Sequence, residues 1–302
     1  MCLVTAWVGY PLWLAFVARP RPLNPVAPFR GAIAIVVVAR DEGARIAGRV
    51  AELRALRVPE GCRVRVVVVD DGSSDDTAAR AREAAARPDP TAVEVVSQPP
   101  SGKAVGLVTG VERAAADLIV FADVRQRVPP DALAALIEPF ADPTVGVVSG
   151  VVAKPATHGA GLYWRYESWV RRLESRTGST VGATGPWYAL RRELFVPPPR
   201  GLLLDDVWLP MQAVFLGARA VVAEGAVVTD VEHPPAIERD KKARTLTGNL
   251  QLLEAWPALL DPRANPIWPR FVAHKVLRLV TPYRGNAVAL WRWARRDFRW
   301  GS

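Results

Sequence analysis

Apolar positions in this chain fall in short unbroken runs, each closed by a polar loop and followed by a stretch with helical spacing. The runs are Gly31 to Val38, Val66 to Val69, Ala92 to Val96, Leu118 to Ala122 and Val145 to Val152. Continuous β-branched runs of this length mark strands covered on both faces, as in parallel sheets. Between them the pattern predicts helices ending near Arg57, Arg87, Ala115 and Phe140. The second of these starts near Thr77, capped by Asp75 or Asp76. An amphipathic helix follows from Tyr163 to Arg176, then a helix through Met211 to Leu216 and a strand from Arg219 to Ala223. Strands alternating with helices predict an α/β fold with a doubly wound, mostly parallel sheet flanked by helices.

The two ends depart from this alternation. Cys2 to Ala18 carries no charge, and Arg19, Arg21 and Arg30 follow among prolines. About 17 apolar residues lie near the lower limit for a helical span, so residues 1–18 are expected to be a membrane anchor or transmembrane helix. Positive charge after it would keep the following domain in the cytoplasm, at the cell (inner) membrane. A helix lying in the interface competes, because Gly9-Tyr10-Pro11 interrupts the run. Residues 19–30 read as a proline-rich linker, 31–235 as one α/β domain and 236–302 as a basic, amphipathic carboxyl-terminal region. Within that last region Trp291, Trp293, Phe298 and Trp300 alternate with Arg292, Arg295, Arg296 and Arg299, an interfacial composition.

Composition narrows the classes. The chain has 302 residues, half of them apolar and 23% charged, so a sizeable core is available and disorder is excluded. A net charge of +9 suits anionic lipid headgroups or phosphorylated small molecules. Without a dense basic arm or zinc-finger spacing, nucleic acid is not an expected partner. Two cysteines give neither a disulfide framework nor a metal cluster.

Candidate chemistry gathers where strands end. Asp70, Asp71, Gly72, Ser73 and Ser74 follow the Val66 run, and open α/β sheets hold ligands at the carboxyl ends of their strands. Glu42, Lys103 and Asp123 follow the other early strands, and Leu202-Leu203-Leu204 delivers a second acid pair, Asp205-Asp206. Taken singly, Asp-Asp-Gly is a turn and Lys103 a surface lysine. The repetition at one sheet edge is what favours a ligand site. The small, glycine-rich stretch Ser179 to Leu190 suggests backbone close to a ligand. The run Glu238 to Asn249 reads as a solvated helix face, or, beside a diphosphate, as a phosphate-neutralising one.

In this order the motifs resemble those of glycosyltransferase family 2, with its GT-A nucleotide-sugar-binding fold, over roughly residues 31 to 280. The likeness is to the membrane-associated, polysaccharide-synthase-like branch. It rests on Asp70-Asp71-Gly72-Ser73-Ser74-Asp75-Asp76-Thr77, Gly102-Lys103, Phe121-Ala122-Asp123, Gly182-Ala183-Thr184-Gly185, Asp205-Asp206 and Lys242-Ala243-Arg244-Thr245. The resemblance implies that Ala39, Glu42, Asp70 and Asp71 hold the uridine end of a UDP-sugar, with Lys103 near the nucleotide. It implies that Asp123 binds Mg²⁺ or Mn²⁺ on the diphosphate, for which hard carboxylate oxygen is suited. Arg125, Lys242 and Arg244 would neutralise phosphate. Asp206 matches the general base of an inverting transfer to a hydroxyl on a glycan or lipid-linked acceptor, and Asp205 would position it or the acceptor.

Three features depart from the family pattern. Arg125 stands where the second acid of Asp-X-Asp is expected, Val108 where asparagine is common, and no Gln-X-X-Arg-Trp is present. The chain also ends soon after His274-Lys275-Val276-Leu277-Arg278, where the branch usually continues into membrane helices. The alternative these raise is a non-catalytic nucleotide-sugar-binding or membrane-scaffold protein. The enzyme reading requires residues 71, 123 and 206 to face one cleft.

Overall fold

The structure, a computed structural model, describes residues 5–153, 160–230 and 235–279. In the helices that begin at 160 and 235, side chains are described from 164 and 243 onward. The strands are β1 (Gly31–Ala39), β2 (Cys62–Asp71), β3 (Ala92–Gln98), β4 (Leu118–Ala122), β5 (Val145–Ala153), β6 (Trp187–Arg191) and β7 (Arg219–Thr229). The helices are α1 (Tyr10–Phe16), α2 (Gly43–Arg54), α3 (Thr77–Ala86), α4 (Lys103–Ala114), α5 (Ala132–Ile137), α6 (Ala160–Arg176), α7 (Asp205–Phe215), α8 (Pro235–Ala255) and α9 (Trp268–Phe271). After α9 the helix widens to a π turn over Val272–Val276 and closes with Leu277–Leu279.

The strands form one seven-stranded sheet in the order β3-β2-β1-β4-β6-β5-β7. β1 pairs in parallel with β2 and β4, and β2 with β3, as the sequence pattern predicts. β6 runs antiparallel to both neighbours, β4 and β5. The sequence reading assigned the end of this stretch to a glycine-rich ligand loop and no strand. Trp187 to Leu190 are nonetheless almost wholly buried and fill the sheet between β4 and β5.

Alternate residues of each strand serve opposite layers. Ile33, Ile35 and Val37 pack with Ile46, Val50 and Leu53 of α2. Ala34 and Val36 pack with Leu107 and Val111 of α4, in a layer that includes Val207 and Met211 of α7. Each fully buried valine contributes roughly 1.5–3 kcal/mol relative to an exposed one. Helix α4 lies unusually close to β1: a Cβ on Gly110 would stand 2.3 Å from Val36 Cγ1.

The amino-terminal region shows no transmembrane helix among the described residues and packs partly on the domain. No described helix is long and apolar enough to cross a membrane. Residues 5–16 are helical, and Tyr10 and Leu14 are buried against Val170 of α6. Tyr10 donates its hydroxyl hydrogen to Glu174 at 2.6 Å. The outer side of this segment leaves Val8, Leu12, Trp13, Phe16 and Val17 exposed. The proline-rich stretch after it is pinned rather than free. Arg21 N–H donates to the Arg176 carbonyl at 2.7 Å, and Asn24 N–H to Asp142 at 2.8 Å. The tryptophan- and arginine-rich tail of residues 288–300 lies outside the described residues.

Candidate active site

The carboxyl edge of the parallel strands carries the predicted residues. Ala39 and Asp70 are register partners at the ends of β1 and β2. Past β2 the chain turns through Gly72, whose φ of 66° lies in the left-handed region that glycine tolerates. Asp75 receives the Thr77 N–H at 2.9 Å and the Gly43 N–H at 3.0 Å, so one carboxylate ties the starts of α2 and α3 together.

Asp71 is buried and already engaged. Its carboxylate accepts from Gln98 Nε2 at 2.8 Å and from the Ser101 and Gly102 N–H groups, each at 2.9 Å. It therefore fixes the loop that presents Lys103. Gly102, the residue before α4, has φ 88°, again a conformation that favours glycine. Asp70 accepts the Ser73 N–H at 3.3 Å. Glu42 is paired as well, with Arg125 Nε at 2.5 Å and Arg45 Nη1 at 3.0 Å. Arg125 thus meets an acid from the β1 loop, which offsets part of the charge it brings to the Asp-X-Asp position.

Lys103 is the hub. Its Nζ lies 3.3 Å from Asp123 Oδ1 and 3.4 Å from Asp205 Oδ1. Burial alone would lower its pKa, but Asp123, Asp205 and Asp206 outweigh that and hold it above the ordinary lysine range. Asp205 is buried and also accepts the Tyr188 hydroxyl at 3.1 Å. Burial, then Asp205 and Asp206, push the Tyr188 pKa up, so the phenol stays a donor.

Asp206 stands at the start of α7 beside the Gly182 to Pro186 loop. Ala183 N–H donates to the Asp206 carbonyl at 2.7 Å, and a Cβ on Gly185 would sit 3.2 Å from Asp206 Oδ2. Burial raises the Asp206 pKa and Asp205 adds to the rise, against Lys275, Lys103 and Arg171. A half-buried carboxylate with raised basicity is suited to accept a proton.

Lys103, Asp123, Asp205 and Asp206 therefore converge, with Asp71 behind the loop that holds Lys103. Arg244 is exposed on α8, with no described contact to this cluster, and the Lys242 side chain lies outside the described residues. Arg171 and Lys275 were not singled out as site residues from sequence. Arg171 read as one charge on an amphipathic helix, and Lys275 as part of a tail. Only the fold brings them to Asp206.

Among the described residues no group of three or more His, Cys, Asp or Glu side chains could hold a metal ion. Mg²⁺ commonly uses one or two protein carboxylates together with substrate phosphates. The oxygens of Asp123 and Asp205, now facing an ammonium, fit an ion that arrives with a diphosphate.

A mostly parallel sheet interrupted by one antiparallel strand, with acids at its carboxyl edge, defines a GT-A-type glycosyltransferase. The family model described as glycosyl transferase family 2 matches residues 34–196, and the chain belongs to that family. Its fold is similar to that of a mannosyltransferase from Pyrobaculum calidifontis solved with GDP-Man and Mn²⁺. That likeness has a TM-score of 0.77 and 26% identity, over 98% of this chain and 86% of the other. Glucosyl-3-phosphoglycerate synthase from Mycobacterium tuberculosis shares the fold at TM-score 0.53 and 21% identity, over 74% of this chain and 79% of that one. An undecaprenyl-phosphate 4-deoxy-4-formamido-L-arabinose transferase from Edwardsiella ictaluri is 34% identical over 116 residues. That match takes in 38% of this chain and spans 32% of the relative's length.

Proposed function

We propose that this glycosyltransferase moves a sugar from a nucleoside-diphosphate donor to a hydroxyl-bearing or lipid-linked acceptor with inversion, Asp206 acting as base. The acceptor oxygen forms a bond to the anomeric carbon while the bond from that carbon to the diphosphate oxygen breaks. The acceptor proton passes to Asp206, and the electron pair of the broken bond leaves with the nucleoside diphosphate. Lys103 and Arg125 lie where cationic charge would stabilise that leaving group. Asp123, aided by Asp205, would hold a Mg²⁺ or Mn²⁺ ion, which supplies further charge neutralisation when bound.

The observation that carries the reading is the meeting of Lys103, Asp123 and Asp205 within 3.4 Å, with the basic carboxylate of Asp206 adjacent. Residues this far apart in sequence converge at the edge where such sheets bind ligands. The motif pattern supports UDP as the nucleotide; the mannosyltransferase solved with GDP-Man makes guanosine the comparison to test. A lipid-linked acceptor at the cytoplasmic face of the inner membrane is supported by the apolar outer side of α1 and by the relative that acts on undecaprenyl phosphate.

Nucleotide release from UDP-glucose, UDP-galactose, their N-acetyl forms and GDP-mannose, with Mn²⁺, tests the proposal. At least one donor should be turned over by the wild type and far more slowly by Asp206→Asn. Equal slow release by both, with donor binding intact, would favour the scaffold alternative. The pairing of Arg125 with Glu42 at the Asp-X-Asp position is what keeps that alternative in view.

A further inference from the structure

Helix α2 carries a polar stripe on the side that meets the segment after β4. Glu42, just before its first turn, then Arg45, Arg49 and Glu52 recur every three or four residues and so share one face. Within the stripe, Arg45 Nη1 donates to Glu42 Oε2 at 3.0 Å and Arg49 Nη1 to Glu52 Oε2 at 2.7 Å. The remaining capacity of these pairs goes to residues 125–128. Glu42 Oε1 accepts from Arg125 Nε at 2.5 Å, Arg49 Nη1 reaches the Gln126 carbonyl at 2.9 Å, and Glu52 Oε1 accepts the Val128 N–H at 3.0 Å. The end of β7 grips the same segment from its other side. Arg127 and Thr229 exchange two N–H···O bonds of 2.9 Å, and Gln126 Nε2 donates to Asp230 at 2.9 Å.

The segment held in this way starts at Asp123. Val124, Gln126 and Val128 are buried, Arg125 and Arg127 are exposed, and Asp123 is half-buried. Contacts to the buried side of this alternation therefore decide where Asp123 and Arg125 stand. Arg49 is the unusual member of the stripe. It is 2% exposed, and its Nε and Nη2 have no hydrogen-bond partner among the described residues. A buried guanidinium with unmet donors is costly, and well-packed apolar residues in place of a buried ion pair are often as stable or more so. Stability alone does not account for Arg49. What it does provide is Nη1, which joins α2 to the backbone of the segment.

We infer that Arg49, supported by Glu52, is a positioning residue for the donor site: from behind, it sets the segment that presents Asp123 and Arg125 to the diphosphate. The inference rests on the transferase reading and deepens it by naming buried residues on which donor affinity depends. With arginine in place of the second acid, an ion on the diphosphate has one carboxylate fewer through which to order this segment. Helix α2 supplies that order from the protein side. Both contacts of Arg49 come from a single nitrogen, so a lysine ammonium can stand in for it and a methionine cannot.

Calorimetric titration with UDP and with GDP, each with Mn²⁺, separates affinity from the fraction of competent protein. For whichever nucleotide the wild type binds more tightly, Arg49→Met should raise Kd about fivefold or more, the scale of one net hydrogen bond. Arg49→Lys should restore Kd to within about twofold of wild type, again less than one such bond. A role confined to stability would lower the binding stoichiometry and leave Kd unchanged. Because Arg49→Met strands the Glu52 charge, Arg49→Met/Glu52→Gln serves as a second variant. It removes both charges, should fold, and should show the same rise in Kd. An unchanged Kd in both methionine variants, a loss confined to stoichiometry, or no recovery with lysine refutes the positioning role and leaves the transferase reading standing. If the wild type binds neither nucleotide, that reading falls and this role with it.

Discussion

Replacing Lys103 by methionine removes the one ammonium that Asp123 and Asp205 share, while keeping most of the side-chain volume. At 3.3 and 3.4 Å each contact has a gross Coulomb energy of about 5 kcal/mol at an effective dielectric of 20. Most of that is offset by desolvation, and breaking a buried pair typically costs about 3–5 kcal/mol net. The Lys103 side chain is 32% exposed and Asp123 37%, so solvent screening reduces the expected loss to about 2 kcal/mol. In a domain of this size that lowers Tm by about 4–8 °C. Because the Lys103 pKa is raised, its contribution is complete below the ordinary lysine value and fades only as pH rises through the higher folded one. Thermal melts between about pH 6 and 9 should therefore give the same difference. Asp205→Asn in the Lys103→Met background removes the stranded buried charge and should recover at least half of the loss. A Tm within about 1 °C of wild type, or no recovery in the double variant, would refute the account of Lys103 as the hub.

Other perturbations follow the same contacts. Asp206→Asn should lower nucleotide release by about 10²–10⁴-fold. Since burial and Asp205 raise the Asp206 pKa, the wild-type acid limb of kcat/KM should lie above the usual carboxylate range and vanish in the variant. A raised folded pKa also means that ionised Asp206 opposes folding at neutral pH, so Asp206→Asn should melt at or above the wild-type temperature. Gly110→Ala forces a Cβ to within 2.3 Å of Val36 Cγ1 and should cost about 1–3 kcal/mol in chemical denaturation. His274→Gln should show its largest stability deficit below about pH 6.5 and a shrinking one at alkaline pH, because the raised His274 pKa confines its contribution to the protonated form. A pH-independent deficit in denaturant titrations would overturn that assignment.

How far the molecule could be read from its residues depended on how local each signal is. The parallel strands were legible because buried runs such as Val66 to Val69 leave few other options. Strand β6 was not, because Gly182, Gly185 and Pro186 just before it are turn formers and its partners are distant in sequence. Asp71 was legible as an acid at a strand end, but not as the acceptor of two backbone N–H groups that fix the Lys103 loop. Arg125 was visible as a departure, whereas its pairing with Glu42 depends on how β1 and β4 lie side by side. The packing of the amino-terminal segment was not legible for a related reason: apolar content alone does not show which side chains, here Tyr10 and Leu14, are buried against α6.

The reversed strand links these points. β6 begins at the edge where β4 ends, since Trp187 is the register partner of Ala122. A parallel strand in that place would deliver its incoming loop to the opposite edge, far from Asp123. Its reversal brings Gly182 to Pro186 to the site, where Asp123 N–H donates to the Pro186 carbonyl at 3.2 Å and Ala183 N–H to the Asp206 carbonyl at 2.7 Å. The loop thereby joins the two acid-bearing segments, and its Thr184 reaches Arg171 on the far side. One antiparallel insertion thus ties the start of α7, with Asp205 and Asp206, to the end of β4, with Asp123, across a single loop.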